Sequence, residues 1–484
     1  MNVTPIDFFK EISKIPRGSG NEAAIAEYIE KLALDQGLFC VRDKENNVFI
    51  RKPAHRDFEG APSVLFAAHT DMVCEKLPSS QHDFYTDPLE IIEKDGFIFA
   101  NETTLGADDG AGCALMLSLM CDTELKAPET EYLFTSSEET GMIGADKFDY
   151  SYVHSDMVIN LDSEEEFNAC IGCASGAEHE LSFPVDRTRK CKKAAKITVS
   201  GLAGGHSGVD IDKGRHSATK LLGLLLDRLY SVYPFHIASL TGGSRDNVIP
   251  TNAEATLCFY DENDEKNAKS LVTDFAKCIR SVLSKEDAAK FRITFSKLKE
   301  SEYSALSDVL TLKSTSAVIT ALLLAPQGIQ EMIPSTDLVE SSVNLGIAKT
   351  EDSRFACKFL VRAGSDITSD AISQSIKRLA HALGGNVALI SSYPGWSYKR
   401  GSTLQSVYGK ICKEAFGVTP EYTAVHAGLE CGIFYQRLAS LGKTPDIISV
   451  GPNLFDIHSP KEKMEIASLD RLYKVLLLML GNLS

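Results

Sequence analysis

Residues 103–112 read TTLGADDGAG and place two adjacent carboxylates, Asp108 and Asp109, among small side chains. The apolar run over residues 114–120 predicts that a helix follows. Small neighbours allow another group to approach the backbone closely. Because adjacent carboxylates repel each other, a nearby cation would explain the pair. Taken alone, the stretch is equally compatible with a solvated turn that caps the helix, so the rest of the chain decides.

The bulk properties indicate a globular protein of more than one domain. The chain of 484 residues is too long for one core, and its 44% apolar and 24% charged residues are ordinary values. A formal net charge of −16 argues against nucleic acid or an anionic membrane as the main partner. We expect a cytoplasmic protein, because the N-terminus has no signal-peptide pattern and no apolar run could span a bilayer. We also expect reduced thiols at the cysteines in apolar surroundings, Cys113, Cys121, Cys258 and Cys357.

Strands and helices alternate in the first part of the chain, which predicts an α/β domain. Three apolar runs predict buried strands, and histidine or acidic residues follow each of them: Val64–Ala68 precedes His69 and Asp71, Glu131–Thr135 precedes Glu138 and Glu139, and Met157–Leu161 precedes Asp162. In open α/β sheets the site lies at the carboxyl ends of the strands. The three acidic strand ends therefore predict one shared site.

A different pattern interrupts this domain. Strand–helix–strand–strand–helix–strand units predict a ferredoxin-like α+β module, which is doubled. Within it, residues 309–324 are predicted to form one helix. The α/β pattern then returns up to the C-terminal loop that contains His458. We therefore predict a catalytic domain over residues 1–186 and 392–484, with an inserted module over residues 187–391.

Seven residues form the candidate site: His69, Asp71, Asp108, Glu138, Glu139, Asp162 and His458. Two imidazoles and three carboxylates suit zinc or a similar divalent ion. Five ligands are enough for two ions that share one carboxylate, and Asp108 is the natural bridge because its loop is the tightest. Each residue alone is more often a core histidine, a helix cap or a solvated charge. Those explanations do not account for the joint placement at successive strand ends.

Two carboxylates remain for other roles. Asp71 stands two residues after His69, on the same side of an extended chain, and can fix the tautomer of the imidazole. Of the neighbours Glu138 and Glu139, one can bind metal while the other acts as general base and then passes the proton to the leaving amine. His426 and Glu430 form a rival pair, but their glycine-rich surroundings favour a loop that faces the substrate.

Together these motifs resemble the M20 family of co-catalytic metallopeptidases, and the likeness runs along the whole chain. The motifs that carry it are His69-Thr70-Asp71, Gly106-Ala107-Asp108-Asp109-Gly110, Ser137-Glu138-Glu139-Thr140-Gly141, Asn160-Leu161-Asp162 and Gly451-Pro452 with His458-Ser459-Pro460. Three further stretches resemble the subgroup that cleaves unblocked dipeptides, Xaa-His among them: residues 393–396 (YPGW), 425–432 (VHAGLECG) and 362–365 (RAGS).

The resemblance implies a zinc-peptidase-like α/β catalytic domain with an inserted lid domain that carries the contact of a homodimer. It implies two divalent ions, zinc by expectation, with cobalt or manganese as alternatives. In the centre it implies that His69 and Asp162 hold one ion, that Glu139 and His458 hold the other, and that Asp108 bridges them. It also implies that Asp71 orients His69 and that Glu138 is the general base and acid. The Asp108–Asp109 peptide would be cis.

The resemblance also implies residues that bind the substrate. His206 would stabilise the tetrahedral oxyanion, in the site of its own subunit or of the other subunit. Asn247 and Arg362 match positions that bind the substrate's carboxylate, and we expect Glu430 to meet its α-amino group. The expected function is hydrolysis of unblocked dipeptides, including aminoacyl-histidine and carnosine-like substrates.

Two alternatives remain open. Another M20 amidohydrolase, such as a tripeptide aminopeptidase, a carboxypeptidase or an N-deacylase, would share the metal chemistry and differ only in the substrate pocket. A metal-free binding protein on the same fold is the second alternative, and the intact ligand set argues against it.

Overall fold

A computed structural model describes residues 4–189, 193–260, 262–303, 306, 308–333 and 338–483. The chain divides into two compact units. The first unit comprises the chain up to Cys173, residues 395–424 and the chain from Leu429 onward. The second unit comprises residues 174–394 and 425–428. None of the helices in the described part of the chain is long and apolar enough to cross a membrane.

The strands of the described residues are, in chain order, β1 (Phe39–Arg42), β2 (Val48–Lys52), β3 (Val64–His69), β4 (Ile91–Lys94), β5 (Phe97–Ala100), β6 (Thr130–Thr135), β7 (Met157–Asn160), β8 (Asn168–Cys173), β9 (Ser175–Pro184), β10 (Arg187–Thr188), β11 (Lys193–Ser200), β12 (Phe235–Gly242), β13 (Ala253–Phe259), β14 (Arg292–Lys297), β15 (Val309–Leu310), β16 (Gly328–Met332), β17 (Val339–Thr350), β18 (Arg354–Ala363), β19 (Asn386–Tyr393), β20 (Glu421–Val425), β21 (Asp446–Ser449), β22 (Leu454–Phe455) and β23 (Lys463–Glu465).

The α-helices are α1 (Pro5–Ile12), α2 (Ala23–Asp35), α3 (Ala107–Cys121), α4 (Ile143–Lys147), α5 (Ala218–Tyr230), α6 (Glu262–Val282), α7 (Lys285–Lys290), α8 (Glu300–Tyr303), α9 (Leu312–Leu324), α10 (Asp366–Ala382), α11 (Thr403–Phe416), α12 (Glu430–Ser440) and α13 (Ile466–Asn482). Short 3-10 turns lie at Arg56–Phe58, Tyr150–Tyr152 and Ile211–Lys213.

The first unit is built on a sheet with the strand order β1-β2-β6-β3-β7-β21-β8-β20. Its centre is parallel, since β3 pairs in parallel with β6 and β7, and β7 with β21. Every residue of β3 and β6 is buried, as expected for parallel strands covered on both faces. Helix α3 packs against β3 and α1, and its apolar side chains join the core of this unit. These features confirm the predicted α/β fold.

The second unit contains two ferredoxin-like halves in one continuous sheet. The chain order β11-α5-β12-β13-α6-β14 gives the spatial order β14-β11-β13-β12, which is the ferredoxin-like arrangement. The other half repeats this order in reverse, as β17-β18-β9-β19, with α9 and α10 as its helices. Pairing of β12 with β17 joins the halves. The predicted doubled α+β module is therefore confirmed.

The second compact unit begins at Ala174, because β9 supplies the first strand of the reversed half and pairs with β18 and β19, and its long segment ends at Pro394. The predicted domain bounds at residues 187 and 391 remain a proposal. The helix predicted over residues 309–324 is shorter than predicted, because β15 occupies residues 309–310 and pairs with β10, and α9 starts afterwards with Thr311 as its N-cap.

The cysteine prediction is also corrected at one position. Cys113, Cys121 and Cys357 are free thiols, as predicted. Cys258 is disulfide-bonded, so the prediction of a reduced thiol is wrong there.

Candidate active site

The parallel strands of the first unit bring the predicted metal ligands to one edge of the sheet. His69 is the last residue of β3, Glu139 follows β6, and Asp162 follows β7. Three overlapping groups have ligand atoms that all lie within 4.8 Å of one another: His69 with Asp108 and Asp162, His69 with Glu138 and Glu139, and Asp108 with Glu139 and His458. The structure therefore brings together all five predicted metal ligands.

The two carboxylate oxygens of Asp108 face two different partners. Oδ1 lies 3.1 Å from His69 Nε2, and Oδ2 lies 3.0 Å from His458 Nε2. Asp162 Oδ1 is 3.9 Å from His69 Nε2, whereas Glu139 Oε1 is 2.9 Å from His458 Nε2. Each oxygen of Asp108 thus belongs to one imidazole–carboxylate pair. This arrangement suits a carboxylate that is shared by two ions.

Asp71 holds the neighbouring ligands in place from behind. His69 Nε2 faces Asp108, while Nδ1 of that imidazole donates a hydrogen bond to the backbone carbonyl oxygen of Asp71 at 3.1 Å and lies 3.4 Å from the carboxylate Oδ1 of Asp71. The same carboxylate accepts hydrogen bonds from the backbone N–H groups of Glu138 (2.9 Å) and Glu139 (3.2 Å) and from Ser19 Oγ (2.8 Å). Asp71 therefore links the β3 and β6 strand ends, and its contact with Nδ1 fixes the orientation of His69.

Asp109 points away from this centre. The Asp108–Asp109 peptide is cis, which confirms the prediction. Asp109 is buried and its Oδ1 accepts a hydrogen bond from Gly112 N at 2.9 Å. Burial raises the pKa of Asp109 to about 8, so its carboxyl group is protonated at neutral pH.

The electrostatics of the cluster favour positive charge. Burial alone would lower the pKa of His69, but its hydrogen bonds to Asp108 and Asp71 raise that pKa well above the ordinary value. Hydrogen bonds to Asp108 and Glu139 raise the pKa of His458 to about 10. Burial raises the pKa of Asp162 well above its usual range, with the nearby carboxylate of Asp108 adding to the effect.

These shifts show that the carboxylates outnumber the positive charges around them. In the described part of the chain, neither lysine nor arginine forms an ion pair with Asp108, Glu139 or Asp162. Imidazole and carboxylate are the ligands that zinc and similar ions prefer. The residues therefore fit one or two divalent ions.

Glu138 is the carboxylate of the cluster that is best suited to proton transfer. Burial raises its pKa to about 7, with the carboxylates of Glu139 and Asp108 contributing and His69 opposing. A group with a pKa near the working pH can both accept and return a proton. The geometry therefore supports Glu139 as the ligand and Glu138 as the general base.

Two charged residues next to the centre were missed by the sequence analysis. Arg17 and Glu462 are both buried, and both bond to the loop that carries Asp108. Arg17 lies in the glycine-rich stretch of residues 16–20 (PRGSG), which predicts a turn and gives no sign of a contact with the metal site. Glu462 follows His458 by four residues, but spacing alone does not distinguish it from a solvated acid.

The predicted oxyanion residue lies in the second unit. His206 Nδ1 accepts hydrogen bonds from the N–H groups of Gly208 (3.3 Å) and Val209 (3.2 Å), so the proton of the neutral ring lies on Nε2. Burial and then the positive charge of Arg362 lower the pKa of His206. The ring is therefore a neutral hydrogen-bond donor through Nε2.

The two residues predicted to bind the substrate's carboxylate also lie in this unit. Arg362 is 4% exposed, donates from Nη1 to the hydroxyl of Tyr393, and has its Nη2 3.5 Å from His206 Nε2. Asn247 is exposed, and its backbone carbonyl oxygen accepts a hydrogen bond from the backbone N–H of Ser207 at 2.9 Å. The pairing of residues 206 and 248 keeps this loop beside His206.

Glu430 lies in the first unit, at the start of α12. It is 1% exposed, and its Oε2 accepts a hydrogen bond from Thr135 Oγ1 at 2.9 Å. Its Oε1 is buried without a hydrogen-bond partner among the residues described. Burial raises the pKa of Glu430 well above its ordinary value, and the nearby charge of Glu138 adds to this. The predicted contact with an α-amino group remains a proposal.

Comparison with known proteins places this site in a family. The chain matches the Peptidase family M20/M25/M40 over residues 65–482. The chain belongs to this peptidase family, which makes it a hydrolase of the metallopeptidase class.

Two relatives match almost the whole chain. The cytosol non-specific dipeptidase of Escherichia coli (strain K12) is 31% identical over 473 residues, which cover 97% of this chain and 95% of the relative. The crystal structure of the aminoacylhistidine dipeptidase from Vibrio alginolyticus superposes with a TM-score of 0.90 and 30% identity, and the match covers 99% of this chain and 96% of the other. An aminopeptidase from Bacillus cereus, with a TM-score of 0.55 and 16% identity over 100% of this chain and 99% of its own, shares the fold alone.

Proposed function

We propose that this chain is a dinuclear-metal dipeptidase that hydrolyses unblocked dipeptides, including Xaa-His substrates. The observation that carries the proposal is the placement of Asp108 between two imidazole–carboxylate pairs. The names of the two relatives that match nearly the whole chain support the choice of dipeptides. The name of the first relative also supports a cytoplasmic location.

The short distances among the five side chains support the following ligand roles. His69 and Asp162 would hold one ion, Glu139 and His458 would hold the other, and Asp108 would be shared between them. Zinc suits this set of imidazole and carboxylate ligands, and cobalt or manganese can replace it. When bound, the ions acidify a water molecule and polarise the scissile carbonyl group.

The protein residues then move the proton and hold the substrate. Glu138 accepts a proton as the water oxygen attacks the peptide carbon, and returns that proton to the nitrogen as the C–N bond breaks. Asp71 keeps His69 in the orientation that the centre needs. The products are a carboxylate and an ammonium group: one proton of the water reaches the nitrogen through Glu138, and the second, released by the new carboxylic acid, completes the ammonium group, so atoms and charges balance.

We further propose that the second unit supplies substrate contacts and serves as the lid and dimerisation domain. His206 donates from Nε2 to the oxyanion, and Arg362 with Asn247 binds the carboxylate of the substrate. Glu430 of the first unit receives the α-amino group. The support is the neutral donor tautomer of His206 and the buried guanidinium beside it.

A substrate panel with metal readdition tests this function. The purified protein is stripped with a chelator, reloaded with Zn²⁺, Co²⁺ or Mn²⁺, and assayed on free dipeptides, tripeptides and N-acyl amino acids. We expect about two ions per chain and hydrolysis of free dipeptides, Xaa-His included. Preference for tripeptides or for blocked amines would assign the chain to another activity of the family. Failure to bind any divalent ion would refute the metal centre.

A further inference from the structure

The connection before β23 holds the Asp108 loop through one buried carboxylate. Glu462 is 2% exposed, and both its oxygens accept hydrogen bonds from the successive N–H groups of residues 105–108. Oε2 accepts from Leu105 (2.8 Å) and Gly106 (3.0 Å), and Oε1 accepts from Ala107 (2.7 Å) and Asp108 (3.3 Å). The backbone at Asp108 and Asp109 is not helical, so these N–H groups belong to the loop before the regular helix, and the carboxylate is their hydrogen-bond partner.

A buried guanidinium holds the same loop from another segment. Arg17 donates from Nη1 to the carbonyl oxygens of Thr70 (3.0 Å) and Asp71 (3.2 Å), and from Nη2 to the carbonyl oxygen of Gly106. A side chain at Gly110 would overlap with Arg17 Nη2. Arg17 therefore fixes the Asp108 loop relative to the segment that follows His69.

These two contacts connect the three segments that carry the ligands around Asp108. Glu462 lies four residues after His458 and bonds to the Asp108 loop, while Arg17 ties that loop to the His69 segment. Hydrogen bonds to charged groups are short and strong, and burial keeps water from replacing them. Small displacements of a ligand matter, since a shared carboxylate must satisfy both ions at once.

We propose that Glu462 and Arg17 are positioning residues that set the two oxygens of Asp108 before metal binds, and that metal affinity therefore depends on them. The proposal rests on the metal centre of the proposed function. Neither residue is one of the five ligands or the general base. They act through the backbone around Asp108, in the way that outer partners of metal ligands tune a site.

The test is the variant Glu462→Gln in the full-length chain. The amide keeps the size of the side chain but turns an NH₂ group towards the backbone N–H donors. We expect Zn²⁺ and Co²⁺ affinity, measured by calorimetric titration, to fall by about 10–100-fold. We expect kcat to fall over a similar range with KM nearly unchanged. Amide hydrogen exchange at residues 105–108 should be faster in the metal-free variant than in the metal-free parent.

Glu465→Gln is the matched control. This glutamate lies three residues further on and accepts hydrogen bonds from Asn453 and Arg471, with none from the Asp108 loop. It should leave metal affinity and amide exchange at residues 105–108 unchanged. Equal metal affinity and equal exchange in Glu462→Gln and the parent would overturn the proposal.

A second variant covers the case in which Glu462→Gln does not fold. Arg17→Lys keeps the charge but cannot reach three carbonyl oxygens with a planar fork. We expect weaker metal binding there as well, and parental affinity would overturn the proposal. If the parent itself binds no divalent ion, the proposed function fails rather than the positioning role.

Discussion

At the scale of single residues, Glu138 and Glu139 show how neighbouring carboxylates take different environments. Glu139 Oε1 lies 2.9 Å from His458 Nε2, whereas burial raises the pKa of Glu138 to about 7. Glu138 and Glu139 lie in the turn after β6; both have an oxygen within 4.8 Å of a nitrogen of His69, and the hydrogen bond to His458 is made by Glu139. The division of roles that the sequence left open is therefore favoured by the geometry.

We predict that Glu138→Gln retains the bound metal and loses hydrolysis. The amide cannot accept a proton, and a lost general base lowers the rate by about 10²–10⁴-fold. Metal content is measured by atomic absorption and turnover by release of free amino acids. Glu165→Gln, a change at an exposed carboxylate in the loop after β7, should behave as the parent. Full turnover in Glu138→Gln would contradict the assignment of the base.

At the scale of elements, the segment of residues 425–428 that follows β20 contains a half-buried neutral histidine. His426 Nε2 lies 2.7 Å from Ser342 Oγ, and burial followed by the charge of Arg362 lowers the pKa of His426 to about 4. Gly208 makes room for this segment, because a side chain there would overlap with the carbonyl oxygen of His426. His426 therefore contributes to the second unit as an imidazole whose protonation is disfavoured.

This gives a prediction for stability against pH. The folded pKa of about 4 lies below the ordinary value of about 6.5, so the unfolded chain binds the proton first and stability falls as pH decreases between these values. At pH 5 this proton uptake by the unfolded chain lowers the free energy of unfolding by about 1–2 kcal/mol. The variant His426→Gln lacks that loss.

Urea unfolding at pH 7 and pH 5 measures the effect. We expect a smaller loss of unfolding free energy on acidification in His426→Gln than in the parent. His381→Gln, a change at an exposed histidine on α10, serves as the matched control and should keep the parental pH dependence. The same loss in all three proteins would contradict the assignment.

At the scale of the whole molecule, the proposed metal centre and the single tryptophan lie in the same unit. Trp396 is the one tryptophan of the chain, is 2% exposed and pairs with Cys173 in the first unit. Its fluorescence therefore reports the unfolding of the unit that carries the proposed metal ligands. Ligands that bind only the folded state stabilise it by mass action.

We predict that Zn²⁺ raises the unfolding temperature followed by Trp396 fluorescence. A free-ion concentration of 100 times the dissociation constant contributes about 2.7 kcal/mol. The gain should shrink as pH falls, because His69 and His458 have raised pKa values and must lose their protons to bind metal. Asp108→Asn should abolish most of the shift. An unfolding temperature that is independent of divalent ions would refute the centre.

The fold was predictable where the sequence carries a strong local pattern. Apolar runs such as Val64–Ala68 specify buried strands, and the recurring strand–helix order specifies both the α/β domain and the doubled α+β module. The strand β9 was missed, because it pairs with β18 and β19, far along the chain. Strand pairing over such distances leaves no local trace.

The sequence by itself determined which residue types compose the centre, because chemistry restricts metal ligands to few side chains and these follow predictable strand ends. Only the tertiary structure decided which oxygen of Asp108 faces which imidazole, and that Arg17 and Glu462 support the loop between them. Those contacts join segments up to hundreds of residues apart through backbone groups. Nearly every residue carries the same backbone N–H and C=O groups, so the sequence does not show which of them a buried side chain contacts. The packing of the folded chain decides which backbone groups meet Arg17 and Glu462.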